Sequence, residues 1–205
     1  MSPANTHPPA LEFWFEFGSS YSYLSAMRIE DAARAAGVPL LWRPFLLGPV
    51  FRSLGWETSP FVLQEAKGRY MWRDMEREAA RLGLPFRRPS VFPRVALLPM
   101  RVATLGAAEP WMGEFCRRVM HQNWVEDREL DTEEAVRDAL AGLVPDADAT
   151  IAAALEPANK LRLRARTEEA AARGIFGGPS FFVGDELFWG NDRLEAALAL
   201  AGGQA

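Results

Sequence analysis

The sequence predicts an α/β domain split by a large all-helical insertion. Strand signals gather at the two ends of the chain, at residues 11–45 and 180–189. Between Leu46 and about Arg173 the pattern is helical, broken by Gly and Pro. Each end also sets a helix start just after a strand. With 205 residues, 49% of them hydrophobic, the chain can bury a substantial core, as one domain with an insertion or as two small lobes.

Leu11, Phe13, Phe15 and Phe17 alternate with Glu12, Trp14 and Glu16, the period-two pattern of a half-buried strand. A helix follows, capped by Ser19 or Ser20, running through Leu24, Met27 and Ala33 and stopped by Gly37 and Pro39. Val38 to Phe45 reads as a second strand, making a βαβ unit that is normally parallel and right-handed. Helices are predicted over Pro60–Leu82, Pro99–Ala108 and Pro110–Asn123. Two more follow: Thr132–Leu143, with Asp131 and Glu134 in capping-box spacing, and Glu156–Arg173, closed by Gly174. Ser180–Val183 and Glu186–Trp189 form a hairpin about Gly184-Asp185, and Asn191 and Asp192 cap a last helix.

The formal charge of −4, with both signs interspersed, gives nucleic acid no basic footprint. No window approaches ~18–20 uninterrupted apolar residues, so no membrane span is expected. Residues 1–10 read as a disordered leader without the features of a secretory signal, and the expected compartment is the cytoplasm. Cys116 is the only cysteine, which excludes an internal disulfide and a dithiol redox cycle; its apolar neighbours predict burial. His7 and His121 cannot make a histidine-rich metal site, so no metal is expected. Acid–base chemistry at neutral pH must then come from an unusual group or from a bound ligand. Ser19 has no adjacent base and no Gly-x-Ser-x-Gly setting, which disfavours a hydrolase. At a helix start, its hydroxyl can still cap the helix or donate to an anion.

Strand, small-residue turn and helix at the head of the domain is where thioredoxin-like proteins keep Cys-x-x-Cys; here the slot reads Ser19-Ser20-Tyr21-Ser22. This sulfur-free slot resembles the 2-hydroxychromene-2-carboxylate isomerase and kappa-class glutathione transferase family, a branch of the DsbA-like thioredoxin group. Gly177-Gly178-Pro179-Ser180 resembles its cis-proline segment, and Trp189-Gly190-Asn191-Asp192-Arg193 the segment before its last helix. Gly55 to Phe61 and Ala66 to Asp74 resemble the first part of its insertion.

The resemblance implies a thioredoxin-like fold over residues 11–48 and 165–205, with the helical insertion domain at 49–164. It implies glutathione as cofactor, its thiolate hydrogen-bonded by Ser19. Gly178 before Pro179 would pair with the cysteinyl backbone, and Trp189, Gly190, Asn191 and Asp192 would hold the γ-glutamyl end. The implied reaction is a cis–trans isomerisation of 2-hydroxychromene-2-carboxylate-type compounds in aromatic catabolism, by reversible addition of that thiolate. A small aromatic carboxylate is the substrate, with Trp56, Glu57, Lys67 and Arg69 as candidate contacts and a homodimer as the assembly. Two departures bear on thiol activation: Ser20 stands where the family has proline, and Glu57 near where many members have asparagine. A carboxylate beside a thiolate raises the thiol pKa. A kappa-like transferase or peroxidase, and a binding module without turnover, are the alternative readings.

Overall fold

The structure is a computed structural model and describes residues 9–203. The expected disordered leader lies, apart from Pro9 and Ala10, outside the described residues. The first strand, β1, spans Leu11–Phe15 and runs parallel to β2, Leu40–Pro44, with Leu11 opposite Leu40 and Phe15 opposite Pro44. After the insertion, β3 (Ser180–Val183) lies antiparallel to β1, and β4 (Glu186–Trp189) antiparallel to β3. The mixed sheet has the order β2-β1-β3-β4. The hairpin turns at Gly184, whose φ of +60° suits glycine.

The predicted half-buried β1 is corrected: Trp14, on the supposed polar face, is fully buried. On one face of the sheet, Phe13 stacks on Phe15 and Phe181 at centroid distances of 5.1 and 5.6 Å. On the other, Trp14, Phe45 and Phe182 meet side chains of α3 (Leu47–Ser53) and α10 (Pro157–Ala172). The strand is amphipathic in sequence yet covered on both faces because α3 and α10 close the second one. Each such large side chain contributes about 1.5–3 kcal/mol by leaving water.

The single helix predicted after Ser19 is two: α1, Ser20–Ala26, and α2, Ile29–Ala35. They part at Met27-Arg28, where the Arg28 guanidinium reaches across to Asn191 and Glu195. Likewise Pro60–Leu82 divides into α4 (Pro60–Leu63) and α5 (Glu65–Arg81) at Gln64, whose backbone is extended. The remaining helices are α6 (Leu97–Leu105), α7 (Met112–Trp124), α8 (Glu133–Leu140), α9 (Ala147–Ala154) and α11 (Leu194–Ala201).

Two helices were not foreseen. In α3, Pro49 falls within the first turn, where a proline is harmless because the N–H has no intrahelical partner. In α9, Asp146 is the cap, its carboxylate accepting from the Ala149 N–H at 2.9 Å.

The capping pattern at α8 is also corrected. Thr132 caps that helix through Ala135 N–H at 3.2 Å, while the Asp131 carboxylate accepts from Leu98 N–H at 2.5 Å, at the head of α6. Asn191 and Asp192 do not cap α11 either; they sit in a single 3₁₀ turn, Asn191–Arg193, and no side chain caps the helix. One continuous core joins the sheet to the insertion, running from Phe13 and Phe17 through Met71, Met75, Met100 and Phe115 to Val136.

Candidate functional site

β1 ends at Phe15, and four residues later Ser19 caps α1, so its side chain stands at the carboxyl end of the parallel strand pair, the usual place for a ligand in such sheets. A cleft of about 1190 Å³ opens there between the sheet, α3, α5 and the hairpin. Ser19, only 8% exposed, lies in its wall. Its Oγ accepts from the Ser22 N–H at 3.4 Å and donates to the carbonyl of Gly178 at 2.9 Å. The peptide bond between Gly178 and Pro179 is cis. The two segments singled out in the sequence, 159 positions apart, are therefore joined by one hydrogen bond. Because α1 spans seven residues and not the seventeen or so predicted, its dipole adds less at Ser19 than a full helix would.

Across the cleft the third predicted segment closes the site. Gly190 N–H donates to the Pro179 carbonyl at 3.0 Å, tying the two loops together. Gly190 has φ +112°, and a β-carbon there would lie 2.6 Å from the Asp192 carboxylate, so glycine is required. Trp189 is half exposed and leans on Phe176 at 4.7 Å. Asp192 is exposed at the mouth, 3.2 Å from Arg193. Asn191 also lines the cleft, but its side chain is buried and points inward. Its Oδ1 accepts from Ser25 Oγ at 3.0 Å and from Arg28 Nη2 at 3.0 Å. That side chain is thus an anchor for the loop, leaving its backbone for the cleft.

Of the residues named in the insertion, Trp56, Glu57 and Lys67 line the cleft and Arg69 does not. Arg69 stands on the solvent side of α5, paired with Glu65. Lys67 lies 6.0 Å over the ring of Phe61 and forms no ion pair among the described residues. Tyr21 donates to Asp74 at 2.9 Å; burial, and then this bond, push its hydroxyl pKa up. Cys116 is fully buried in the core, and burial pushes its thiol well above the ordinary range. Among the described residues no group of three or more His, Cys, Asp or Glu side chains could hold a metal ion. No helix in that range is long and apolar enough to cross a membrane.

Among the cleft residues that escaped the sequence reading are Arg52 and Glu16. Arg52 is a second cation without an ion pair among the described residues, carried by the unforeseen α3. Glu16, assigned above only to a strand's polar face, lines the cleft three residues before Ser19. Its carboxylate accepts from Leu47 N–H at 3.3 Å, and burial pushes its pKa up to about 7. Its spacing from Ser19 was the available signal, since the chain must turn between them.

Glutathione fits the residues present. A β-carbon placed on Gly178 would lie 3.2 Å from Ser22 Oγ and 3.4 Å from Ser19 Oγ, so the missing side chain leaves a niche beside both hydroxyls. Ser22 Oγ is buried there with no hydrogen-bond partner, a costly state that a polar neighbour would relieve.

A mixed four-stranded sheet, an inserted helical bundle and a helix-start serine bonded to the residue before a cis-proline define a thioredoxin-like domain of the DsbA type with its sulfur replaced. The chain belongs to the DSBA-like thioredoxin domain family, whose model matches residues 10–200. Among curated relatives it is similar to 2-hydroxychromene-2-carboxylate isomerase of Sphingobium xenophagum, 30% identical over 187 residues, covering 90% of this chain and 94% of the relative. Glutathione S-transferase kappa 2 of Caenorhabditis elegans is 26% identical over 198 residues, covering 90% and 88%. Among solved structures, a 2-hydroxychromene-2-carboxylate isomerase superposes with a TM-score of 0.84 at 26% identity, over 95% of each chain.

Proposed function

We propose that this protein is a glutathione-dependent cis–trans isomerase of 2-hydroxychromene-2-carboxylate-type compounds. The observation that carries the reading is the Ser19–Gly178 bond at 2.9 Å, set in a cleft of the family's architecture. At about 1190 Å³ the cleft exceeds the ~300–1,000 Å³ common for one small ligand, leaving room for a tripeptide and an aromatic ring. Bound glutathione would supply a nucleophilic thiolate for reversible addition to a conjugated double bond.

The chain's own residues have separable tasks. The Gly178 backbone pairs with the cysteinyl backbone. Once its carbonyl is so engaged, the Ser19 hydroxyl is released to donate toward sulfur, and a donor there lowers a thiol pKa. Gly190 and Asp192 hold the γ-glutamyl end, the carboxylate of Asp192 facing the amine. Lys67 and Arg52 face a substrate carboxylate, while Trp56, Phe61 and Tyr21 supply apolar wall for the ring. Cytoplasmic residence and a homodimer belong to the same proposal, on the strength of the family resemblance.

The test is turnover of a 2-hydroxychromene-2-carboxylate with trace glutathione, following product and free thiol together. An isomerase makes many equivalents of the trans-benzylidenepyruvate isomer and leaves the thiol undiminished. The kappa-class relative supports a second reading, a transferase, in which thiol falls in step with product. Thiol loss in step with product would replace the first reading with the second.

A further inference from the structure

We propose that Glu16 is the proton acceptor that receives the thiol proton when glutathione binds beside Ser19. The inference rests on the glutathione reading above and assigns an acid–base group to the cleft, which among the described residues contains no histidine. His121 lies outside the cleft, against Glu126 at 3.1 Å, and His7 lies outside the described residues.

Placement comes first. Glu16 and Ser19 line one cleft and are linked through the backbone, the Ser19 N–H donating to the Glu16 carbonyl at 3.1 Å. The Glu16 carboxylate is held at the head of α3 by Leu47 N–H, and the Leu47 side chain comes within 3.5 Å of the niche at Gly178. Leu47, Gly178 and Ser19 thus form one continuous wall beside the carboxylate. The charged groups sharing the cleft are Arg52 on α3, Glu57 after it, Lys67, Asp74 and Glu78 on α5, Arg94 before α6, and Asp192 and Arg193 in the 3₁₀ turn. Among the described residues none of them bonds to Glu16. Asp74 is taken by Tyr21, Asp192 by Arg193 and Arg94 by Asp127.

The chemistry follows from that isolation. A carboxylate without a cation, half-buried in a cleft wall, holds a proton near neutrality. Ionising a thiol nearby would put a second negative charge in the same space, so the two groups share one proton, and the lower-energy arrangement with Ser19 donating to sulfur leaves it on carbon-bound oxygen. The S–H bond breaks, an O–H bond forms on Glu16, and the reverse transfer precedes glutathione release. No net proton is consumed, as an isomerisation requires. Water in the open cleft can carry the proton between them.

Proton release on glutathione binding tests this, measured calorimetrically at pH 7.5 in buffers of different ionisation heat and divided by the thiolate seen in the ultraviolet. Wild type should release clearly less than one proton per thiolate, because the ionised share of Glu16 takes up the rest. Glu16→Gln, which keeps the acceptor for Leu47 N–H, should release about one; matching melting temperatures at pH 4, where Glu16 is protonated folded or unfolded, establish that it folds. One proton per thiolate in wild type as well would overturn the proposal. Absence of any thiolate with wild type would remove the glutathione reading itself, and this inference with it.

Discussion

Replacing Glu16 by glutamine should make the free protein more stable at alkaline pH and leave it unchanged at acid pH. Burial lifts this carboxyl from 4.5 to about 7, a rise of about 2.5, or about 3 kcal/mol at 1.36 kcal/mol for each pH unit. The folded state holds the proton more tightly than the unfolded chain. The stabilisation is therefore full below pH 4.5, falls between 4.5 and 7, and is gone above 7. The carboxyls of Glu12, Glu114 and Glu195 are shifted downward and stand in both proteins, so their contributions cancel from the difference. Glutamine keeps an oxygen for the Leu47 N–H and cannot ionise. Urea unfolding of both proteins from pH 4 to 8 should show curves that nearly coincide at pH 4 and separate by up to about 3 kcal/mol at pH 8, worth about 6–12 °C in melting temperature for a chain of this size. Parallel curves across the range would refute the burial argument for Glu16.

Other perturbations probe the walls of the site. Gly68→Ala would set a β-carbon 2.2 Å from the Phe61 carbonyl oxygen, so α4 must shift off α5 at a cost of about 1–3 kcal/mol; thermal melting and loss of Phe61 from the cleft wall check this. Arg28→Ala leaves Ser25 as the remaining side-chain donor to Asn191, and should raise KM for glutathione severalfold while kcat changes less, since the loop carrying Asp192 loosens. Lys67→Ala should raise KM for the aromatic substrate about tenfold, whereas Arg69→Ala, on the solvent side, should leave steady-state constants as they are.

Much of this architecture is written locally. The hairpin Ser180–Val183 and Glu186–Trp189 lies where alternation and Gly184-Asp185 put it, because a two-residue turn leaves no freedom in the register. Ser19 was legible locally as a helix-start cap, whereas the cis Gly178-Pro179 bond was expected from the resemblance to the family's segment. Burial of Trp14 was not, because it depends on α3 and α10, which come from distant sequence. The break at Arg28 escaped because its cause, Asn191, lies 163 positions away. Glu16 escaped for the opposite reason: its alternation was read correctly, but nothing local tells a solvent-facing carboxylate from one facing a cleft.

The central claim, that Ser19 activates a bound thiol, is tested most directly by the ultraviolet difference spectrum of the protein titrated with glutathione across pH, in wild type and Ser19→Ala. The account predicts a thiolate band in wild type that forms at or below neutral pH, and a midpoint at least one pH unit higher in the variant, a tenfold loss of ionisation. Superimposable titrations would contradict the role given to Ser19, and no band in wild type would contradict glutathione as the cofactor.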